Sequence, residues 1–404
     1  MNRATAATVL MSIALASLPL RAAAPAVEPE PTLALKDFGG LPPATGTGYR
    51  IDPRVPVSGF HGQFVVHTDL GDLSADGVGM LRQRVAEVGP AAQLQQMSQS
   101  DVFVDALSKS ASATAGAIGK AVTSPVETAK AVPAGVGRFF KSVGETVSSA
   151  TSGATGGDAS DAAKDALGVN KAKRQLAQKV GIDPYTTNPI LAKRLDTLAN
   201  AAFAGGVTID VALAVTTAGV GTAISVTKTV SNLAWELPPE DVRARNDAAL
   251  AGLGIGQGER ERLLGNRWYT PTMALALVEE LKGLGVRKGG GGFIALAGGA
   301  ENETEARFYI AQLAMAREYA KGGDAVAAIE VPGRLAGFRT AKGGLLIPAP
   351  LDYLSWTEGV KTFAERKDLG AGARVVWLSG RASPKAAQGL KAHGWSLREN
   401  VALK

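Results

Sequence analysis

The stretch RVVWLSGRASPKAAQGLKAHGWSLREN, Arg374 to Asn400, reads as strand, helix and strand. RVVWLS is a short apolar run bounded by Gly380. Ser383 and Pro384 open a helix, because a hydroxyl cap followed by proline is a favoured start. SLREN resumes an extended pattern after Gly394. Short strands separated by helices suggest an α/β sheet that is at least partly parallel.

Upstream, the same texture continues back to about Trp268. FIALA (293–297), AVAAIEV (325–331) and GLLIPA (344–349) are further strand candidates. ETEARFYIAQLAMAREYA (303–320) and WTEGVKTFAER (356–366) are helix candidates between them, and TMALALVEELKGLG (272–285) is a helix ahead of them. EVPGRLAGFRTAKGGLLIPA (330–349) has the look of a hairpin set into the sheet. Residues 268–404 are therefore expected to form an α/β domain with a mixed, partly parallel sheet.

The rest of the chain has a different composition. Residues 25–57 are rich in Pro and Gly without sustained periodicity, which predicts an extended arm. Residues 58–152 are expected as a small α+β unit followed by amphipathic helices. QFVVHT (63–68) is a strand, DLGD a turn, and the helix after it carries Leu81, Val85 and Val88 on one face. Further on, Ser124, Pro125 and Glu127 have the spacing of a capping box, and Val132, Val136, Phe140, Val143 and Val147 form an apolar stripe. A Gly/Ser/Thr-rich run predicts a flexible linker over 153–165. Residues 166–267 are expected to be helical, with PPED (238–241) marking one helix start. The fold class that follows is α+β and multidomain: mostly helical N-terminal and central regions, then a C-terminal α/β domain.

Within the helical region, GGVTIDVALAVTTAGVGTAISV, Gly205 to Val226, holds one charge, Asp210. Its large aliphatics favour bilayer insertion by roughly 2.4 to 4.8 kcal/mol, and Asp210 near the centre opposes it by roughly 2.5 to 3.5 kcal/mol. The Thr, Ser and Gly residues add to the opposition, so a buried, soluble segment is preferred. Val207, Ile209, Val211, Leu213 and Val215 alternate like a strand, while the small residues Ala214, Ala218 and Gly221 suit a helix pair. The helix pair is preferred, with the β-hairpin and the inserted segment as alternatives.

The N-terminus begins with Arg3, continues through the apolar run Val9–Leu20 and reaches Ala22, Ala23 and Ala24 before a Pro-rich stretch. That order predicts a secretory signal peptide over 1–24, and hence a periplasmic or secreted protein, with peripheral membrane association as an option. The chain has no cysteine, so an oxidising compartment leaves its covalent structure unchanged. The formal charge is +6, without a dense Lys/Arg stripe, which argues against nucleic acid as a partner.

Motifs that carry chemistry are sparse. His61 and His67, six residues apart on an extended segment, would stand roughly 20 Å apart and do not chelate one metal. His393 suits a helix end. Asp69, Asp72 and Asp76 are too thinly spaced for a calcium loop, and a hairpin turn followed by a helix cap accounts for them. The acidic AENETE after Gly298 and Gly299 disfavours phosphate, and no cofactor is expected.

The strongest indication is positional. In open α/β sheets, ligands bind beyond the carboxyl ends of the strands. Those ends carry Gly298 and Gly299, then Asp352 in PLDYLSW, then Ser379, Gly380 and Arg381 in SGRASP. These six residues are the candidate ligand-binding set. Simple capping competes for part of it: Ser383 suits the helix after Arg381, and Ser355 with Glu358 has capping-box spacing. Polar turns GIDPYTTNP and GNRWYTP are explained by turn chemistry.

No Ser-His-Asp order, His-Glu-x-x-His pair or phosphate loop is present. The expectation is an exported, non-catalytic envelope protein. Its helical segments would meet a membrane surface or a protein partner, and its C-terminal domain would be a binding module. The alternatives are a periplasmic hydrolase using the crevice near Asp352 and Arg381, and a membrane-inserting protein using 205–226.

Overall fold

A computed structural model describes residues 26–99, 104, 157–204, 227–286, 288–370 and 372–402. The segment 205–226, the capping box at Ser124 and the apolar stripe at 132–147 lie outside the described residues. The described part is α+β, as expected, with a mixed sheet in the C-terminal region.

The N-terminal sheet has six strands: β1 (Thr32–Ala34), β2 (Thr45–Gly46), β3 (Tyr49–Ile51), β4 (Arg54–Ser58), β5 (His61–Thr68) and β6 (Gly71–Asp76). All its pairings are antiparallel. The long β5 is its axis, pairing β4 with its first residues, β3 with its last, and β6 along its other edge. Alternation on β4 and β5 buries Val55, Val57, Phe64 and Val66, while the residues between them face outward. The segment expected as an extended arm is thus extended and also paired into the sheet. Its strands of two or three residues are too short to show a period; β1 pairs with β4, β2 with β3 and β3 with β5.

Helix α1 (Gly77–Ser98) links two cores. Its first half, including Leu81, packs on the sheet with Phe38, Phe64 and Leu73. Its second half, including Leu94 and Met97, packs with Leu176, Leu191, Leu195 and Leu198 of α2 (Gly157–Val180) and α3 (Pro189–Ala204). Helix α2 already runs through the span read as the end of a linker. The Ala-rich DASDAAKDAL that follows Gly157 has enough helix propensity to extend it.

Four helices lead to the C-terminal sheet: α4 (Lys228–Glu236), α5 (Pro239–Gly252), α6 (Gln257–Gly265) and α7 (Pro271–Leu284). Helix α7 is buried on nearly every side from Met273 to Val278, which is what its unbroken apolar run requires. Next comes α8 (Gly290–Ala297), at the position read as the strand FIALA. Phe293, Ile294 and Ala297 share one helical face in the large core. The glycine entry decides the outcome. Gly289 has φ +82° and lies so close to Ile329 that a Cβ would come within 1.8 Å of its carbonyl oxygen. The chain therefore turns there, and the Lys288 carbonyl accepts from the Ile329 N–H at 3.0 Å, occupying the sheet edge FIALA would have joined.

After α9 (Glu303–Lys321) come β7 (Val326–Glu330), β8 (Gly337–Thr340) and β9 (Leu345–Ala349), an antiparallel meander that includes the expected hairpin. Then β10 (Tyr353–Leu354), α10 (Glu358–Ala364), β11 (Arg374–Leu378), β12 (Arg381–Ala382), α11 (Pro384–Ala392) and β13 (Trp395–Arg398) complete the chain. The main sheet has the order β13-β11-β9-β8-β7, with β9, β11 and β13 parallel. All of β9 is buried, as expected for a strand covered on both faces. Leu346 joins the core with α7 and α9; Leu345 and Ile347 face Trp356, Leu390 and Trp395 on the side of α10 and α11. Among the described residues, no helix is long and apolar enough to cross a membrane.

Candidate functional site

The carboxyl ends of β9 and β11 open into a cavity of about 210 Å³. Pro350, Asp352, Ser379 and Gly380 form its floor; the first turns of α1 and α9, His61, Gly39–Gly40 and Asn400 enclose it. The cavity therefore lies where two separately built sheets meet. Of the six residues read as a ligand set, Asp352, Ser379 and Gly380 line it. Gly298 and Gly299 do not: they close α8, a helix, and the Gly298 carbonyl accepts from Asn266 Nδ2 at 3.0 Å. Arg381 is exposed on β12, with its Nη1 3.5 Å from the Asp37 carbonyl, and is outside the lining.

Asp352 is the centre of the junction. Its carboxylate accepts the Gly62 N–H at 2.9 Å and the Val78 N–H at 3.1 Å. Val78 is in the first turn of α1, whose N–H groups have no partner within the helix. Asp76 stands at the N-cap position but makes no capping bond; it accepts instead from Thr304 Oγ1 at 3.2 Å. Asp352 thus caps α1 from 274 positions away, and its negative charge suits the positive end of the helix dipole. Its own N–H, with that of Tyr353, binds the Phe60 carbonyl. The Asp352 carbonyl accepts from Arg381 N, and Gly380 packs so closely that a Cβ would lie 2.0 Å from that oxygen. Glycine is required there.

Phe60 (φ 66°) and Asn400 (φ 54°) are the only non-glycine residues of positive φ among the described ones. Asn400 lines the cavity; Phe60 precedes His61, which does. Gly59 and Phe60 form the tight turn between β4 and β5, where positive φ is needed at both positions. A bulky residue there is strained, and the contacts that hold it come from elsewhere. Glu30 accepts the N–H groups of Gly59 and Phe60, and the Phe60 side chain packs into the core around Trp356.

Exchange runs the other way too. Glu28 accepts the Trp356 N–H at 2.9 Å and the Ser383 hydroxyl, while Ser383 caps α11 by accepting from Ala386 N at 2.9 Å. The capping residue of α10 is Thr357, which accepts from Val360 N; Ser355, read as a cap, is fully buried with no partner for its hydroxyl.

A polar chain leads to the cavity wall. Glu87, buried on α1, accepts from Gln83, Arg84, Thr186 and Asn188. Arg84 continues to Thr187, Thr187 to Glu303, and Glu303 to Arg307 on the cavity wall. Burial pushes the Glu303 carboxyl upward, but Arg307, Arg84 and the Thr187 hydroxyl outweigh it and hold it below the usual glutamate range. The GIDPYTTNP turn supplies three of these side chains. It otherwise behaves as expected of a turn: Asp183 accepts from Tyr185 N, and Asn188 accepts from Ile190 N and Leu191 N at the start of α3.

Histidine has separate roles. His61 Nδ1 stands 3.8 Å from Asp352 Oδ2 in the cavity. His67 bridges Asp52 and Asp72 at 3.0 and 2.9 Å on the surface, and those two carboxylates raise its pKa. His393 follows α11 and stacks on Trp356. Among the described residues, no three His, Asp or Glu side chains converge to hold a metal ion. Sequence reasoning missed His61, Arg82 and Arg307, because each reaches the cavity from an element distant in the chain. The turn Ser58-Gly59-Phe60 before His61 was the available signal. Comparison with family models, with curated proteins and with solved structures finds no match.

Proposed function

We propose that this chain is an exported envelope protein acting as a non-catalytic binding module, with the junction cavity as its ligand site. The observation that carries the reading is the placement of the cavity at the carboxyl ends of β9 and β11, where ligands of α/β sheets bind. Export rests on the leader pattern of residues 1–24, and attachment to a membrane surface or protein partner is proposed for the segments at 101–152 and 205–226.

A second reading, hydrolysis, has one observation in its favour: Ser379, His61 and Asp352 line the same cavity. Their bonding favours binding instead. Ser379 donates its hydroxyl to the Leu351 carbonyl at 2.8 Å. The Asp352 oxygens already hold backbone N–H groups, and 3.8 Å to His61 is too long for a hydrogen bond. An orienting acid and an activated nucleophile are both missing from that arrangement.

The test is a thermal melting screen of the mature chain against small metabolites, with Ala311→Phe as the blocked form, since Ala311 lines the cavity. A ligand that raises the midpoint of the wild type and leaves Ala311→Phe unmoved supports the reading. A panel that shifts neither protein removes it. Turnover of ester or amide substrates that is lost in Ser379→Ala would put hydrolysis in its place.

A further inference from the structure

We infer that the junction cavity takes a small molecule through a carboxylate group, seated against Arg82 and Arg307. This rests on the binding reading above and adds the chemistry of the ligand. The cavity walls leave hydrogen-bonding capacity unused.

The acids of the cavity accept hydrogen bonds: Asp352 from Gly62 N and Val78 N, and Asp76 through one oxygen from the Thr304 hydroxyl. The cations keep donors in reserve. Arg82, on α1, donates Nε to the Gly40 carbonyl and forms no ion pair with any described residue. Its guanidinium lies directly over Gly40, where a Cβ would come within 1.9 Å of Nη2, so a side chain at position 40 would displace it. Arg307, on α9, binds Glu303 through Nε and Nη2 and leaves Nη1 buried without an acceptor. A buried guanidinium N–H without a partner is costly, and an anionic acceptor relieves that cost. Two guanidinium groups of adjacent helices thus line one small cavity with donors to spare.

A guanidinium fork binds a planar carboxylate or a phosphate through two parallel N–H donors, so the choice between them falls to the neighbouring charges. The same walls select against doubly charged anions. Asp76 and Asp352 stand at the first turn of α1, where a phosphate would otherwise sit, and like charges in a partly buried site repel strongly. A carboxylate carries one charge and tolerates these neighbours. The Phe308 ring and Met80 give the remainder of the ligand an apolar surface, which suits a short organic acid.

Paired probes that differ only in charge test the inference. Glycolate and its uncharged amide, glycolamide, are titrated into the mature chain at constant ionic strength, with inorganic phosphate as the third probe. Melting and calorimetry are the readouts. Glycolate is expected to bind and to stabilise the chain with rising concentration. Glycolamide and phosphate are expected to bind at least about tenfold more weakly. Arg82→Met, which keeps the aliphatic stem, should lose the glycolate response while its own melting stays near that of the wild type. Equal response to glycolamide, preference for phosphate, absence of any glycolate response, or full response in Arg82→Met would each overturn the inference. A neutral metabolite that stabilises the wild type but not Ala311→Phe, beside a silent glycolate, would sink the carboxylate inference and leave the binding reading standing.

Discussion

The two sheets solve the same problem with different means. The N-terminal sheet is wholly antiparallel, and its core is covered by the first half of α1. The C-terminal sheet is mixed, with β9 buried on both faces between two groups of helices. The first has short strands and depends on contacts at its margins; the second is closed around its central strand. The junction shows the dependence. Glu28 and Glu30 of the N-terminal part bind backbone and hydroxyl groups at Trp356, Ser383 and the β4–β5 turn, and Asp352 of the C-terminal part caps α1. Carboxylates exchanged across the junction make one unit of two sheets and leave the cavity between them.

The largest effect is expected at Asp352. Asp352→Ala leaves the N–H groups of Gly62 and Val78 without acceptors and uncaps α1. Each lost bond of that kind costs about 1–3 kcal/mol, so the denaturant midpoint should fall by an amount equivalent to about 3 kcal/mol. A loss below about 0.5 kcal/mol, the size of an ordinary surface change, would show that the junction does not depend on it.

Next is Gly380→Ala. Its Cβ would meet the Asp352 carbonyl oxygen at 2.0 Å, and backbone cannot yield as a flexible side chain does. Overpacking of this kind costs about 1–3 kcal/mol. Gly59→Ala is the contrasting control within the N-terminal sheet: no atom lies within 4 Å of its Cβ, and strain at φ +57° is the only cost. Equal midpoints for the two variants would remove the close approach at Gly380 as an explanation.

Acid sensitivity should divide along the same junction. The folded-state pKa of Glu303 is depressed, so its contribution is present above the ordinary glutamate value and lost as pH falls through the folded value. Stability measured from about pH 6 to pH 3 should therefore fall more steeply for the wild type than for Glu303→Gln. Parallel profiles would contradict it. The smallest effect belongs to half-buried His67. Its folded pKa is raised, so the contribution is present below the ordinary histidine value and lost as pH rises through the folded one. His67→Asn should flatten that small decline between about pH 6 and pH 8.

Legibility in the sequence differed between the sheets for a physical reason. Strands β7, β9 and β11 are apolar runs set between helices, and each was visible as such. Strands β1, β2 and β3 have two or three residues, and no periodicity exists at that length. FIALA was misread because its apolar residues are contiguous. The distinguishing fact, the approach of Gly289 to Ile329, is tertiary. At the site, Asp352, Ser379 and Gly380 were legible through the rule about strand ends. Arg82 and Arg307 were not, since only the meeting of α1 with α9 brings them to one cavity. Ser355 had the spacing of a cap, yet the chain starts α10 two residues later, at a cap formed by Thr357.

Amide hydrogen exchange in wild type and Asp352→Ala measures the junction most directly. The Gly62 and Val78 amides are bonded to that carboxylate and to nothing within their own elements. In the variant, these two amides and the first turn of α1 are expected to exchange at least about tenfold faster, while amides in the middle of α7 and α9 keep their protection. Unchanged protection at Gly62 and Val78 would contradict the account of two sheets joined by exchanged carboxylates.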